Sequence, residues 1–253
     1  MSVFKQYASY YDSLYRNKDY EKECDFLERI FEKYSSKKIH SVIDIGCGTG
    51  SHDLALDKRG YAVVGIDLSS EMVEIAKEKI KNKKTQLEFF QGDARRFDLG
   101  KKFDAAISMF AVLSYQITNE EIISSFKRAR CHLDAGSLFI FDVWFGPAVL
   151  VQKPCDRFNF MEKGDKKIIR LTTSDFHLLS QTVDVKYKLF TISGDKILDE
   201  TNEVHKIRFL FPQEIKSYLA QSGFEVLDMC PLGELGAVPN DNNWDVTIIA
   251  KAV

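Results

Sequence analysis

The 253-residue sequence predicts an α/β fold: a seven-stranded, mostly parallel sheet with helices on both faces, plus a small antiparallel β insertion after the fifth strand. Three observations predict it. Strand-like and helix-like runs alternate between residues 19 and 143, the pattern that winds a parallel sheet. A glycine-rich turn closes the first strand, as where a backbone has to approach a ligand closely. From residue 156 to 209 the apolar period becomes two with no helical run between, so those strands pair antiparallel.

Each element has its own signal. Residues 19–34 space Tyr20, Leu27, Ile30, Phe31 and Tyr34 at a helical period. Residues 41–46 form a short buried strand stopped by Gly46, and 51–59 a helix ended by Gly60. Residues 61–67 are the second strand, after which Ser69 caps a helix to about Lys81. Strands follow at 86–90, 103–108 and 137–143. The helix between the last two opens on Thr118 and Glu121 as a capping box and is followed by Gly136. The insertion carries turns at Lys163-Gly164-Asp165 and Ser193-Gly194-Asp195. A helix over 212–221 starts on proline and stops before Gly223, and strands at 224–230 and 244–251 complete the sheet. The organisation is thus a core unit over 1–150, an insertion over 151–209, and a return to the core over 210–253.

Composition removes several function classes. Thirty-five Lys and Arg face 37 Asp and Glu, a formal net charge of −2, so no global field draws the chain to nucleic acid. No apolar run reaches the length of a membrane span; the nearest, residues 138–151, contains Asp142. The first five residues do not resemble a signal peptide. Five scattered cysteines (Cys24, Cys47, Cys131, Cys155 and Cys230) form no CxxC pair, which suits a reducing cytoplasm rather than a disulfide framework or structural zinc. No cluster has metal-ligand spacing, so no metal is expected.

The informative segment is VIDIGCGTG, with Asp44, Gly46, Gly48 and Gly50. Its glycines read GxGxG, not the GxGxxG of dinucleotide sites, and no Gly-Lys-Ser/Thr follows. An acid two residues before the first glycine suits a ligand bearing an ammonium group. Asp67 ends the second strand 21 residues after Gly46, where a carboxylate accepts ribose hydroxyls. Asp93 follows the third strand, within reach of an adenine amino group. Singly, such acids cap helices or solvate turns; together, in register with successive strands, they point to an adenosine-type cofactor.

With these residues the sequence resembles the Rossmann-like class I S-adenosylmethionine-dependent methyltransferases over nearly its whole length. Tyr11-Asp12, Lys18-Asp19-Tyr20, Met109-Phe110 and Asp142-Val143-Trp144 are similar to a narrower group, which includes the N,N-dimethyltransferases of nucleotide-linked amino sugars. The resemblance implies S-adenosyl-L-methionine as cofactor, held by Asp44, Gly46, Gly48, Gly50, Asp67, Leu68, Met72, Asp93, Ala94 and Met109, with Tyr11 and Tyr20 folded over it. It also implies that the insertion caps a small-molecule substrate, a nucleotide sugar in the narrower group, and contacts a second subunit in some members, leaving monomer or homodimer open here.

Methyl transfer requires alignment and exclusion of water, and a base if the acceptor arrives protonated. Tyr115 and His205 are the catalytic candidates, and both, with Trp144, are expected to line the substrate side. Where the amino-sugar enzymes place a histidine this chain has Tyr115, which leaves N- and O-methylation both open. His177 reads as solvated, Cys47 as a packing residue and Asp142 as an anchor for a neighbouring loop. Families that methylate base-flipped exocyclic amines carry an Asn/Asp-Pro-Pro-aromatic motif after the fourth strand; Ser108-Met109-Phe110-Ala111 stands here instead, which argues against nucleic acid. A catalytically silent binding protein would have lost Asp44, Asp67 or the glycines, and all are present.

Overall fold

The computed structural model describes residues 8–163 and 166–253. The first five residues and the turn at Gly164 and Asp165 therefore lie outside the described residues. In chain order the elements are α1 (Ala8–Leu14), α2 (Tyr20–Tyr34), β1 (Ser41–Ile45), α3 (Ser51–Lys58), β2 (Ala62–Asp67), α4 (Ser70–Ile80), β3 (Glu88–Gln91) and β4 (Phe103–Ser108). A 3-10 turn (Val112–Tyr115), α5 (Asn119–Cys131), β5 (Leu133–Trp144) and α6 (Gly146–Gln152) follow. Then come β6 (Arg157–Lys163), β7 (Lys166–His177), β8 (Thr182–Ser193), β9 (Lys196–Arg208), α7 (Pro212–Gln221), β10 (Phe224–Pro231) and β11 (Asp245–Ala252).

The main sheet has the order β10-β11-β5-β4-β1-β2-β3. Its strands pair in parallel except β11, which runs antiparallel to both β5 and β10. Alternation along each strand sends side chains to two separate cores. In β5, Phe139 and Phe141 enter one with Ile43 and Ile45, while Leu138 and Ile140 enter the other with Val42, Leu27 and Ile30. Burial on both faces is why these strands read as near-continuous apolar runs.

The caps behave as their sequences suggest. Asp19 accepts from the Lys22 N–H, Ser69 from the Met72 N–H, and Thr118 and Glu121 form the reciprocal box on α5. Some boundaries differ from expectation. β5 starts at Leu133, so Gly136 (φ +87°) lies inside a strand and does not stop α5, which ends at Cys131. β3 starts at Glu88 rather than residue 86, because Glu88 is where its pairing with Val64 of β2 begins. The helices α1 and α6 are seven residues each, too short for a 3.6-residue period to stand out in sequence. α6 runs across the boundary expected between the core (to residue 150) and the insertion (from residue 151).

The four strands β6-β7-β8-β9 form a separate antiparallel sheet. Toward one end, Ile168 and Leu189 pack against Tyr10, Tyr11, Leu14 and Tyr15 of the N-terminal segment. Toward the other, Val183, Val185, Ile207 and Phe209 pack with Val149 of α6, Tyr115 and Trp144. The sheet thereby spans the carboxyl ends of the core strands.

Candidate active site

A cavity of about 850 Å³ lies where these two sheets face each other. Its core-side wall begins with the turn after β1. Gly46 (φ +86°) leaves no room for a side chain: a Cβ there would sit 2.2 Å from Val112 Cγ1. The Gly48 N–H donates to Asp67 Oδ2 at 2.9 Å, and the Ser69 N–H donates to Asp67 Oδ1 at 2.8 Å. Asp67 thus pins the glycine turn to the start of α4. Burial raises its pKa even though backbone N–H groups oppose the shift. Leu68, 55% exposed, projects beside it.

Of the residues expected to hold the cofactor, Tyr11, Tyr20, Gly46, Gly48, Asp67, Leu68, Met72, Asp93, Ala94 and Met109 line the cavity. Asp44 and Gly50 do not. Alternation along β1 turns Asp44 away from the face of Ile43 and Ile45 and onto the side where α3 packs; there it is 1% exposed. Burial and the neighbouring Asp53 push the Asp44 carboxyl up, and burial pushes Asp53 up as well. Gly50 acts sterically, since a Cβ would lie 2.6 Å from Phe89 Cζ. Asp93, in the cavity lining, has a partner that the sequence did not suggest. Arg95 grips both its oxygens, Nε to Oδ1 at 2.9 Å and Nη2 to Oδ2 at 2.7 Å, and this pairing holds its pKa down.

The turn after β4 carries strain. Phe110 (φ +74°) and Ala111 (φ +54°) are both left-handed without being glycine, a conformation that costs of order 1 kcal/mol per residue or more. Asp142 beneath them accepts from the Ala111 N–H at 3.0 Å, and burial pushes its pKa up to about 8. The turn aims Met109 and Phe110 into the cavity and leads directly to Tyr115.

The N-terminal segment closes one side. Thr49 in the glycine turn donates to Asp12 at 2.6 Å, and Lys79 of α4 bridges to the same carboxylate at 2.8 Å. Tyr15 meets Phe110 edge-on at 5.1 Å, and Lys18 Nζ stands 4.4 Å from the Phe110 centroid. Lys18 pairs with Glu23, which also bonds His52 at 2.7 Å. Burial lifts the Tyr20 phenol to about 12, so it stays protonated beside the cavity.

The insertion sheet supplies the opposite wall. Tyr115 Oη lies 2.7 Å from His205 Nδ1, and His205 Nε2 lies 3.0 Å from Glu203 Oε2. The two residues singled out in the sequence, 90 positions apart, are therefore in direct contact. Tyr115 is half-buried at the cavity wall, and desolvation there drives its pKa well up. Trp144 also lines the cavity, against Trp244 at 5.2 Å. His177 pairs with Asp184 at 3.1 Å and is not part of the cavity lining.

Sequence reading missed Arg157, Arg170, Tyr187 and Asp245, all of which line the cavity. Arg170 lies over the rings of Tyr15 and Tyr187 at 5.7 and 5.5 Å. Burial pushes Asp245 up to about 6. A usable signal existed: Arg157 and Asn159, like Arg170, Thr172 and Ser174, sit at alternate strand positions and share a face. Among the described residues no group of three His, Cys, Asp or Glu could hold a metal, and no helix is long and apolar enough to cross a membrane.

A glycine turn, an acid ending the next strand and a cavity at the carboxyl edge of a parallel sheet define an α/β enzyme built around a nucleoside-type cofactor. Residues 42–136 match the family described as a methyltransferase domain. Over 231 residues the chain is 24% identical to the dTDP-3-amino-3,6-dideoxy-alpha-D-glucopyranose N,N-dimethyltransferase of Streptomyces fradiae, covering 90% of this chain and 87% of the relative. It is 31% identical over 143 residues to the dTDP-3-amino-3,4,6-trideoxy-alpha-D-glucopyranose N,N-dimethyltransferase of Streptomyces venezuelae, 56% of this chain and 58% of the relative. The crystal structure of an S-adenosylmethionine-dependent methyltransferase from Clostridium acetobutylicum superposes with a TM-score of 0.81 at 21% identity, covering 99% of both chains. Residues 42–136 are thus a methyltransferase domain, the enzyme is an S-adenosylmethionine-dependent methyltransferase, and S-adenosylmethionine is its cofactor. The residues present fit that group: a Cβ at Gly48 would meet nothing within 4 Å, so the turn is open to close approach, and Asp67 stands beside it as an acceptor.

Proposed function

We propose that the enzyme methylates the amino group of a sugar carried as a nucleotide conjugate. The observation that carries this reading is the shared cavity, in which the glycine turn and Asp67 on the core face Arg157 and Arg170 on the insertion sheet. Its volume stands high in the ~300–1,000 Å³ range of small-molecule sites, room for a donor and an acceptor together. Two guanidiniums on the cap wall suit a diphosphate. The relatives named for dTDP-amino sugars support the same acceptor class.

In this reading residues 151–209 form the substrate cap. Gly46 and Gly48 let the backbone approach the cofactor, Asp67 accepts from its ribose, and Leu68, Met72, Ala94 and Met109 flank the adenosine. Tyr11 and Tyr20 close over it. Bound there, S-adenosylmethionine supplies a methyl group on a sulfonium, open to in-line displacement. Trp144 and Trp244 wall the acceptor, and Tyr115, backed by His205, takes a hydrogen bond from the accepting group and orients its lone pair. A hydroxyl acceptor is the second reading, favoured by the same Tyr115–His205 pair, because a hydroxyl also has to lose its proton in the step.

The test is turnover with a panel of dTDP-amino sugars, their hydroxyl counterparts and non-sugar amines, read by product mass. Amino sugars are expected to gain one or two methyl groups. Arg170→Ala is expected to raise acceptor KM about 10-fold or more, the scale of a lost charge-assisted contact, with S-adenosylhomocysteine affinity unchanged. Turnover confined to non-sugar acceptors would refute the substrate class.

A further inference from the structure

The inference rests on the reading just proposed, in which Tyr115 and His205 face the acceptor, and it concerns a residue behind them. Glu203 precedes His205 by two positions on β9, so both side chains leave the same face of the strand, while Val204 between them is 55% exposed on the other. His205 is 1% exposed and engages through both ring nitrogens, Nδ1 with Tyr115 at 2.7 Å and Nε2 with Glu203 at 3.0 Å. Tyr187 of β8 meets the imidazole edge-on at 4.9 Å, with Arg170 of β7 beyond it over the Tyr187 ring.

A neutral imidazole carries one N–H and one lone pair, whereas an ionised carboxylate only accepts. The Glu203 contact therefore puts the proton on Nε2 and the lone pair on Nδ1. Tyr115 then has to be the donor in its bond to His205. With its proton turned toward the ring, the phenolic oxygen offers only lone pairs to the cavity. The opposite tautomer would free the Tyr115 hydroxyl to point its proton at the substrate, which an ammonium cannot accept.

We propose that Glu203 is a positioning residue that fixes the tautomer of His205 and so makes Tyr115 an acceptor for the substrate's N–H. For an acceptor that arrives as an ammonium, one proton passes from its nitrogen to Tyr115 Oη while the Tyr115 proton passes to His205 Nδ1. The nitrogen keeps its electron pair, and the imidazolium is balanced by the Glu203 carboxylate. The ring returns its proton to solvent after product leaves, and no other reactant is consumed. The logic is that of a base oriented by a carboxylate behind it.

The experiment uses the 15N-labelled full chain, with His205 assigned through His205→Asn. In wild type, long-range proton–nitrogen correlation is expected to show neutral His205 as the Nε2–H tautomer. Glu203→Gln, whose amide can donate as well as accept, is expected to populate the Nδ1–H form. With dTDP-3-amino-3,6-dideoxyglucose as acceptor, Glu203→Gln is expected to lower kcat about 10- to 100-fold, less than the roughly 100- to 10,000-fold of losing a general base outright, because Glu203 acts through His205. KM should stay within about twofold, and Glu203→Asp should recover part of the rate. An Nδ1–H tautomer in wild type would overturn the proposal without reference to any variant, as would Glu203→Gln with unaltered tautomer and kcat. Absence of turnover with this sugar, alongside the Nε2–H tautomer, counts against the amino-sugar reading alone and leaves the control by Glu203 standing.

Discussion

Asp67→Asn separates cofactor affinity from stability. The carboxylate accepts from the Gly48 and Ser69 N–H groups at 2.9 and 2.8 Å, and its remaining lone pairs are those available to ribose hydroxyls. An amide oxygen keeps one of those backbone donors; the NH2 on the other side faces donors with a donor. Losing charge-assisted acceptance costs about 1.5–3 kcal/mol, so S-adenosylhomocysteine should bind roughly 10- to 150-fold more weakly. Stability responds differently. Burial raises the folded-state pKa of Asp67 above its unfolded value. The folded chain then holds its proton more tightly than the unfolded chain, and this group's contribution falls as pH rises from about 4 through the folded value. Above the folded value the charge opposes folding, so its removal works against the loss of a backbone bond of about 1 kcal/mol. Tm should therefore move by no more than about 2–4 °C, the shift that 1 kcal/mol produces in a chain of this size. Calorimetric titration and a thermal melt on the same preparation read both quantities. Unchanged affinity would refute the ribose role, and a Tm loss beyond about 10 °C would show that pinning the glycine turn dominates.

The remaining expectations concern the framework. Asp142 has its pKa pushed up to about 8 by burial, so its contribution to stability falls between about pH 4 and pH 8. Asp142→Asn keeps an acceptor for the Ala111 N–H and should gain up to about 5 kcal/mol over wild type at pH 8, the worth of about four pKa units, with the difference closing toward pH 4; denaturant titrations across pH check the sign. Gly50→Ala places a methyl 2.6 Å from Phe89 Cζ at φ +75°, and should cost about 2–4 kcal/mol in unfolding free energy. A Gly50→Ala melt indistinguishable from wild type would mean that the turn relaxes without strain.

The local elements and the chemical class were legible in the sequence because they rest on short-range signals. The caps at Ser69 and Thr118, the spacing of Gly46, Gly48 and Gly50, and the positions of Asp67 and Asp93 at strand ends all depend on neighbours within a few residues. The insertion was equally readable as antiparallel, since its period of two excludes a helix. Period two also says that Glu203, His205 and Ile207 share a face, as do Arg157 and Asn159. It is symmetric between the two faces, however, and does not say which is inward. Packing of the insertion sheet on α1 and on the turn carrying Tyr115 breaks that symmetry. It brings His205 to Tyr115 across 90 residues. The same argument runs in reverse for Asp44. Its place before the glycines suggested a ligand contact, yet β1 turns it toward α3, where it meets Asp53 behind the turn. Spacing along the chain determines which residues stand at the sheet's edge; which way each side chain faces is decided by what packs against its strand.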